Sequence, residues 1–381
     1  MTLNSHKNSD RNLALVFTQG VGLRNWLNAG YDTREIEYYR LLSEKLGGVT
    51  FLTYDREDPR EIDGLHELGS INVEYNTISL DRRFFSLLAP FFKYRALKNI
   101  DVIKTTQHRG SWTALVLKWV LRKPMVARCG YVWSLFEKRA GASRSRMFLI
   151  KFLEGFVLKR ADTIVVPDRF AVEYLSEFHG LEEGKFTILP NFVDVEQFKP
   201  KDLSERDKGQ FLFVGRLEND QKRPDLAINA AAIAPELKLD MVGEGPEYER
   251  LQRQTKDIAN VRLLGRRTHA EVSELMSSAT GFIIPSRYEG NPKVVIEALA
   301  AGLPVIATKS QGLTEIIQHG VNGLLTDDSE NSISEAMRML VDDPALWAKL
   351  SDGARRTAVD NYSLESVIER EVALLRRLTD G

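Results

Sequence analysis

Two glutamates, Glu289 and Glu297, stand eight positions apart in the most informative stretch of the chain. The first lies on a turn that contains glycine and proline, and the second lies inside an apolar helical segment. Apolar, strand-like segments flank the pair at residues 281–285 and 304–308. This order predicts a strand–helix–strand unit, and such units bind anionic groups on the free N–H groups where the helix begins. An inward glutamate can also accept hydrogen bonds from sugar hydroxyls, so the stretch predicts a site for a phosphorylated sugar ligand.

The elements that must position these glutamates fall into two alternating series of strands and helices. In the first series, strands are predicted at residues 13–17, 49–53, 101–104, 125–127 and 163–166, and helices at 33–46, 111–121 and 145–160. In the second series, strands are predicted at 211–214, 238–242, 261–264, 281–285, 304–308 and 323–325, and helices at 225–233, 248–256, 333–340 and 364–378. A capping box from Thr268 to Glu271 opens one further helix. Because helices separate the strands, both sheets are predicted to be parallel and covered.

Chain length and linker composition predict two domains. The 381 residues exceed what a single core usually supports, and residues 190–207 form a polar, proline-bounded stretch that is typical of a linker. We therefore predict an N-terminal domain over residues 1–200, a C-terminal domain over 201–360, and a final helix in 361–381 that packs back on the first domain. The predicted fold class is α/β, with two Rossmann-like domains whose parallel sheets face each other across a cleft.

The composition is that of a water-soluble globular protein, with 43% hydrophobic and 28% charged residues. The first ten residues are polar and carry no apolar signal segment, and no apolar run approaches the length that spans a bilayer. The single cysteine, Cys129, excludes an internal disulfide and a cysteine-based metal cage. These features predict a cytoplasmic protein.

The net charge of −1 conceals a strongly basic stretch. Residues 82–160 contain 18 Lys and Arg residues against three acids, Asp101, Glu137 and Glu154, which gives a net charge of +15. Aromatic and apolar residues are interleaved with these basic residues. An ordinary solvated face would have this composition, but so would an interfacial membrane segment or a groove for an acidic ligand, and basic patches also occur in nucleic-acid-binding proteins. The sequence leaves these readings open.

Several motifs of the second half occur in an order that resembles a known family. Gly215-Arg216-Leu217 is followed by Lys222, then by glycine turns at Gly243 and Gly265, and finally by the two glutamates. Each motif is weak alone, but together they resemble the retaining GT-B glycosyltransferases, specifically the group-4 family of nucleotide-sugar-dependent enzymes. The clear resemblance covers roughly residues 160–360; the first half matches only in its strand–helix rhythm.

The resemblance implies a nucleoside diphosphate sugar as co-substrate and no cofactor or metal. It implies that Arg216 and Lys222 stabilise charge on the β-phosphate, that Glu289 holds hydroxyls of the donor sugar, and that Glu297 holds the ribose 2′ and 3′ hydroxyls. The first three of these form the expected catalytic set. The expected donor-binding residues are Gly215, Gly243, Gly265, Asn291, Lys293, Val294 and Glu297. Family frequency favours uridine as the base, and the family's N-terminal half receives the acceptor.

The N-terminal half departs from the family pattern at a position that commonly holds histidine. Here the matching stretch contains Gly130, which puts a catalytic role for a histidine in doubt. The expected acceptor-side residues are Gly30, Arg128 and Tyr131. A second departure is Asn291-Pro292 in place of the more frequent Phe-Gly, because Pro292 removes one backbone N–H that could contact phosphate.

Other classes of protein remain as alternatives. Gly20 and Gly22 supply two glycines of a dinucleotide-binding fingerprint, but Asn25 holds the third place, which disfavours a nicotinamide oxidoreductase. A sugar-nucleotide epimerase, a phosphorylase and a non-catalytic nucleotide-sugar-binding protein also have similar paired domains. The six histidines show no metal-ligand spacing, and His269 reads as a solvated residue in the first turn of a helix.

The basic stretch leads to an expectation about the acceptor. We expect a glycan or a lipid-linked acceptor, no nucleic acid, and peripheral attachment to an anionic membrane surface, the inner face of the plasma membrane, through residues 82–98. In that arrangement four phenylalanines enter the membrane interface: Phe84, Phe85, Phe91 and Phe92. The alternative is that these phenylalanines are buried in the core while the basic residues are merely solvated.

Overall fold

The computed structural model describes residues 11–19, 21–28, 32–56, 68–108, 111–201 and 203–380. The chain divides into two compact units. Unit 1 comprises Met1–Pro167, Ala171–Leu189 and Ile368–Gly381, and unit 2 comprises Asp168–Phe170 and Pro190–Val367.

Unit 1 is built on a parallel sheet of seven strands within the described residues. The strands are β1 (Asn12–Val16), β2 (Gly48–Leu52), β3 (Asn72–Glu74), β4 (Val102–Thr105), β5 (Met125–Arg128), β6 (Thr163–Val166) and β7 (Phe186–Ile188). Their order across the sheet is β3-β2-β1-β4-β5-β6-β7. β1 lies between β2 and β4, and its residues from Leu13 to Val16 are at most 1% exposed. Burial on both faces explains why this strand is a continuous apolar run.

Unit 2 is built on a second parallel sheet, of six strands within the described residues. The strands are β8 (Gln210–Val214), β9 (Lys238–Val242), β10 (Val261–Gly265), β11 (Gly281–Ile284), β12 (Val305–Thr308) and β13 (Gly323–Thr326). Their order is β10-β9-β8-β11-β12-β13, so the direction in which the chain adds strands reverses between β8 and β11. In open α/β sheets, ligands bind outside the carboxyl ends of the strands at this kind of reversal.

Helices connect the strands of both sheets. In the described residues they are α1 (Leu23–Asn28), α2 (Asp32–Lys45), α3 (Arg82–Phe92), α4 (Tyr94–Leu97), α5 (Trp112–Leu121), α6 (Trp133–Arg139), α7 (Arg144–Arg160), α8 (Arg169–His179), α9 (Pro224–Ala232), α10 (Tyr248–Gln254), α11 (His269–Ser278), α12 (Lys293–Ala300), α13 (Leu313–Ile316), α14 (Glu330–Asp342), α15 (Pro344–Tyr362) and α16 (Leu364–Asp380). Short 3-10 turns lie at Glu183–Lys185, Leu203–Glu205 and Thr255–Asp257.

These elements confirm the α/β class, with two parallel, Rossmann-like sheets. The predicted strands and helices recur with ends shifted by a few residues, and the capping box at Thr268 is present in full. The sequence patterns above do not predict two strands, β3 and β7, or the helices α1, α3, α4, α6, α8, α13 and α15. The 19-residue α15 begins at Pro344 behind Asp343, whose side chain accepts a hydrogen bond from the Leu346 N–H. Proline in the first turn after a capping aspartate is an ordinary helix start, so the local signal for α15 was available.

Candidate active site

Three glycine turns meet at the carboxyl ends of the neighbouring strands β8, β9 and β10. The Gly215 N–H, just after β8, donates to the Val242 carbonyl at 3.0 Å. The Gly243 N–H, just after β9, donates to the Gly265 carbonyl at 2.9 Å. The sheet edge is thus held together by main-chain bonds beyond the ends of the strands.

Backbone geometry requires glycine in two of these turns, those at Gly243 and Gly265. A Cβ on Gly243 would lie 1.8 Å from the Gly215 carbonyl oxygen, and the Gly243 φ of +142° is one that L side chains rarely adopt. Gly265 has a φ of +68°. Without side chains, the edge offers main-chain polar groups to a ligand at short range, which is the usual reason for glycine in a phosphate-binding turn. The structure therefore brings together the three glycines that the sequence singled out.

The two predicted basic residues lie beside the first of these turns. Arg216 follows Gly215 directly, and its exposed side chain makes no hydrogen bond or ion pair with any residue in the described part of the chain. Lys222 packs its aliphatic stem over the turn, with Cδ 3.8 Å from the position that a Cβ on Gly215 would occupy. Its Nζ lies 2.7 Å from Oε1 of Glu289. The edge thus carries one solvated cation and one that is already paired.

Glu289 is buried, with 6% of its surface exposed, and both of its carboxylate oxygens are engaged. Oε1 accepts from Lys222, and Oε2 lies 3.3 Å from Nε2 of Gln221. Gln221 also donates to the Tyr288 carbonyl at 3.2 Å, and its own carbonyl accepts from the Arg287 N–H at 2.9 Å. The loop after β8 is thereby fastened to the loop after β11. Sequence reasoning missed Gln221, because only its tertiary contacts distinguish it from any other polar loop residue.

The start of α12 holds the remaining donor-site candidates of the β11 loop. Pro292 is the N-cap, so Lys293 and Val294 begin the helix, and both are half-buried. N–H groups in a first helical turn have no carbonyl partner within the helix and can hold an anion. The Asn291 side chain is turned to the linker, since its Oδ1 accepts from the Asn191 N–H at 2.7 Å. The Asn191 amide in turn donates to the Asn291 carbonyl at 2.6 Å, so the pair sets the conformation from which α12 begins.

Glu297 lies in the middle of α12 and is 5% exposed. Its Oε1 is 3.2 Å from Nε2 of His269, the first residue of α11. The expectation that His269 is simply solvated is therefore wrong: the ring is half-exposed, but it is the neighbour of a buried carboxylate. Nδ1 of His269 lies 3.0 Å from Nε2 of Gln197, an amide donor. Nδ1 therefore acts as acceptor, which leaves the proton on Nε2 to be donated to Glu297.

The candidates of the N-terminal half lie in unit 1, around the end of β5. Arg128 ends that strand, its N–H donates to Thr105 Oγ1 at 3.0 Å, and its charge interacts with Tyr39 and Glu35. Tyr131 is 48% exposed and stacks on Phe136 with ring centroids 3.8 Å apart. Gly30, the third candidate, lies outside the described residues.

The position that commonly holds histidine in the family lies against a glutamine. A Cβ on Gly130 would be 3.0 Å from Nε2 of Gln107, and Oε1 of Gln107 accepts from the Tyr131 N–H at 3.1 Å. A larger residue at position 130 would displace Gln107 from that bond. Gln107 carries no sequence signal of its own, and only the fold brings it to Gly130.

Two family models match the chain, one over each half. The model described as glycosyl transferases group 1 matches residues 194–357, and the model described as glycosyltransferase family 4 matches residues 40–197. One curated relative is D-inositol 3-phosphate glycosyltransferase 1 of Catenulispora acidiphila, which is 28% identical over 254 residues. That match covers 60% of this chain and 60% of the relative, so the chain spans less than two thirds of the relative's length.

Solved structures share the fold over nearly the whole chain. Sucrose-phosphate synthase of Thermosynechococcus elongatus superposes with a TM-score of 0.73 at 20% identity, and covers 97% of this chain and 99% of its own. Anabaena HepE, solved in complex with UDP, superposes with a TM-score of 0.73 at 17% identity, and covers 96% and 100%. These likenesses establish the fold class that the sequence predicted.

Proposed function

The chain belongs to the group 1 (family 4) glycosyltransferases of the GT-B fold, and we propose that it transfers a sugar from a nucleoside diphosphate sugar to an acceptor hydroxyl with retention of anomeric configuration. The observation that carries this proposal is the grouping of Arg216, Lys222 and Glu289 around the Gly215 turn. Two cations at a glycine-lined strand end suit a diphosphate. A buried acid beside them suits the hydroxyls of the sugar that the diphosphate carries.

In the proposed reaction the bond between the anomeric carbon and the β-phosphate oxygen breaks, and negative charge builds on that phosphate. Arg216 and Lys222 stabilise this charge, which is the kind of preorganised electrostatic contribution that dominates many enzymes. The acceptor oxygen forms the new bond to the anomeric carbon, and its proton passes to the departing phosphate. No protein base is needed, because the leaving group is itself anionic.

Glu289 has two roles in this proposal: it pairs with Lys222, and it accepts hydrogen bonds from the donor sugar. Its pairing with Lys222 fixes the ammonium group beside the glycine turn, and the pair neutralises a carboxylate that would otherwise be buried without compensation. A carboxylate has about four lone-pair positions, so Glu289 can accept from Lys222 and Gln221 and still accept hydrogen bonds from sugar hydroxyls.

Glu297 is assigned to the ribose of the nucleotide. A carboxylate that is 5% exposed on an apolar helix needs partners, and the 2′ and 3′ hydroxyls are donors of the right kind. His269 would act as a positioning residue, since its Nε2–H is donated to Oε1 of Glu297.

Uridine diphosphate is the nucleotide to test first, because the structurally similar HepE was solved with UDP. The acceptor belongs to the same proposal as a glycan or a lipid-linked sugar, in line with the glycan-building names among the relatives, such as the O-antigen biosynthesis glycosyltransferase WbnH of Escherichia coli.

A thermal-shift panel with UDP, GDP and ADP tests the donor site. The matching nucleotide at about 100 times its dissociation constant should add about 2.7 kcal/mol of stability. The stabilisation should shrink in Arg216→Ala and persist in Arg253→Ala, which removes an exposed arginine of α10 in the same unit. If none of the three diphosphates stabilises the protein, the donor site is wrongly assigned.

The stereochemical part needs a separate measurement. Proton NMR of the product, or of the sugar released by slow donor hydrolysis, reports the anomeric configuration directly. A product with the donor's configuration supports the proposal. An inverted product would overturn retention while leaving the donor site intact.

A further inference from the structure

Unit 1 exposes far more apolar surface than a folded domain needs. Twelve large apolar side chains of α3, α5 and α7 are more than a third exposed, the most exposed being Phe148 at 76%. They are Phe84, Leu87, Leu88, Phe91, Phe92, Trp112, Trp119, Phe148, Leu149, Phe152, Leu153 and Phe156. Contiguous patches of this kind mark interaction surfaces in soluble proteins.

The three helices lie side by side on one face of the sheet. α3 leads from β3 to β4, α5 from β4 to β5, and α7 from β5 to β6, so all three cross the sheet in the same direction. Right-handed crossovers in one direction place their helices on one face. α5 contacts both of its neighbours: Trp112 Nε1 donates to Ser86 Oγ of α3 at 3.0 Å, and Lys118 Nζ donates to the Arg160 carbonyl of α7 at 2.8 Å.

α7 is apolar on two opposite faces. Its inner face packs Ile150, Val157 and Leu158 into the core. Its outer face carries apolar residues at helical spacing, all exposed: Phe148, Leu149, Phe152, Leu153 and Phe156. A surface helix ordinarily has one apolar stripe and one polar face, so the outer stripe of α7 is not accounted for by folding.

α3 is held with its aromatic face outward by a bond to α5. Pro90 has no N–H, so the Ser86 carbonyl one turn earlier has no helical partner. The Thr113 hydroxyl of α5 donates to that carbonyl at 2.7 Å. Phe84, Phe91 and Phe92 therefore point away from the core and are between 57% and 64% exposed.

The expectation that Phe85 enters a membrane interface is wrong. Of the four phenylalanines, this residue alone is buried in the core, as the alternative had it. Phe85 is 0% exposed and packs edge-on against Tyr54, with ring centroids 6.2 Å apart. Helical spacing explains the difference, because position 85 falls on the face of α3 that also buries Ala89.

The exposed charged residues on the three helices themselves are all basic, although Arg146 pairs with Glu137 at 2.7 Å and Lys118 with Asp162 at 2.6 Å. α3 and α5 contain no acidic residue, and the single acid of α7, Glu154, is fully buried against His179 at 2.8 Å. The basic residues of the three helices are Arg82, Arg83, Lys118, Arg144, Arg146, Lys151, Lys159 and Arg160, and apart from the half-buried Lys118 they are exposed.

We propose that the outer face of α3, α5 and α7 docks on an anionic lipid bilayer. The aromatic and leucine side chains enter the interface, and the basic side chains contact lipid headgroups. No helix among the described residues is long and apolar enough to cross a membrane, so the attachment is interfacial. Pairing with a second copy of this chain would bring two basic surfaces together, which like-charge repulsion disfavours.

Sedimentation with vesicles tests the proposal on the full chain. The protein should bind phosphatidylglycerol-containing vesicles at least tenfold more tightly than pure phosphatidylcholine vesicles, and high salt should weaken that binding. Phe148→Ser with Phe152→Ser should reduce binding at least tenfold, and Lys159→Gln should weaken the preference for the anionic lipid. Ile233→Ser with Met339→Ser is the control, because these apolar residues are also exposed, at 43% and 48%, but lie in unit 2.

Two further measurements keep the outcomes apart. Thermal melting of each variant shows whether it is folded, and the lysine variant still tests the surface if the phenylalanine variant is not. Analytical ultracentrifugation shows whether the protein self-associates. Equal binding of wild type and both variants would overturn the proposal, as would a dimer that only the phenylalanine variant disrupts. The proposal does not depend on the donor assignment, since nucleotide stabilisation should be the same in all of these variants.

Discussion

Each unit contains a buried lysine–glutamate pair, and the two pairs differ in how completely the protein closes over them. In unit 1, Lys104 of β4 pairs with Glu371 of α16, and both side chains are 2% exposed. The Tyr38 hydroxyl also donates to Glu371, and the Lys104 ammonium lies within 5.7 Å of the Tyr38 ring centroid. In unit 2, Lys222 is 19% exposed and Glu289 5%, and the pair lies beside a glycine turn.

The comparison shows that the surroundings decide what an ion pair does. The sealed pair has no room to exchange partners, and it joins α16 to β4, an inner strand of the sheet. The open pair can exchange partners: water or a ligand reaches Lys222, while Gln221 keeps Glu289 in place from the other side. The same two residue types therefore give a structural element in one unit and a candidate binding site in the other.

Breaking the sealed pair should have the largest effect. Lys104→Met leaves the Glu371 carboxylate buried without its cation and should lower the free energy of unfolding by about 3–5 kcal/mol. Urea denaturation followed by tryptophan fluorescence measures this, because Trp26, Trp112, Trp119 and Trp133 report on unit 1 and only Trp347 on unit 2.

The double variant Lys104→Met with Glu371→Leu is the control for this prediction. It removes both charges and should recover a large part of the lost stability. The exposed pair of Lys309 and Asp327 gives the baseline, and its loss should cost less than about 1 kcal/mol. A single variant at Lys104 as stable as the wild type would mean that the two pairs do not differ as described.

Breaking the open pair should affect activity instead. Lys222→Ala and Arg216→Ala should each lower turnover about 10²–10³-fold, the usual loss for one group that stabilises transition-state charge. The melting temperature of Arg216→Ala should change little because its side chain is exposed, whereas Lys222→Ala leaves the buried Glu289 without its cation and should also lower the melting temperature. Steady-state kinetics with Arg253→Ala as the matched control measures the effect. If both variants turn over at the wild-type rate, these residues have no part in the mechanism.

The contrast between the two pairs could not be read from the sequence, although much of the scaffold could. The buried runs of β8 and β9 and the capping box at Thr268 are local patterns, so the chain predicts them to within a residue or two. The contact between Lys222 and Glu289 joins residues 67 positions apart, and that between His269 and Glu297 joins residues 28 apart. Both depend on which strands lie side by side, and no local pattern contains that information.

The family motifs indicate which residues belong to the candidate site, but not what those residues contact. Glycines mark places where two backbones approach closely, and Gly215 and Gly243 do so. The motifs do not report that Glu289 is already paired or that a histidine touches Glu297. Amphipathic spacing likewise indicates α7, but only its burial in the folded chain shows that the outer stripe has no partner in the core.

Lowering the pH should destabilise unit 1 through a buried histidine, His108. Burial lowers the pKa of His108 from 6.5 to about 4, and Nδ1 of its ring has no hydrogen-bond partner among the residues described. The unfolded chain therefore binds a proton more readily than the folded chain, so this stability is complete above about pH 6.5 and is lost as the pH falls from 6.5 towards 4. The free energy of unfolding should fall by about 2 kcal/mol between pH 7 and 5. The full contribution of this histidine, reached below about pH 4, is about 3 kcal/mol.

The same tryptophan-monitored denaturation, repeated from pH 7 to pH 5, measures this dependence. Burial raises the pKa of Glu154, but the hydrogen bond from His179 opposes burial, and this pKa lies below its usual value. Glu154 therefore lowers the free energy of unfolding only below about pH 4.5. His108→Gln should flatten the profile between pH 7 and 5. An unchanged slope in that variant would mean that another group causes the acid sensitivity.

The smallest effect should come from the contact between His269 and Glu297, which lies at the exposed side of unit 2. Glu297→Gln should raise the KM for the donor about tenfold with little change in kcat, because ribose contacts are alike in the ground and transition states. His269→Ala should shift KM in the same direction but less, since the carboxylate remains and loses only its orientation, and His269→Gln, whose amide can still donate, should restore part of the loss. Initial rates over a range of donor concentrations separate KM from kcat in all three. A fall in kcat alone would mean that Glu297 contacts the reacting sugar and not the ribose. Among the residues described, Glu289 and Glu297 would then both act at the reacting centre.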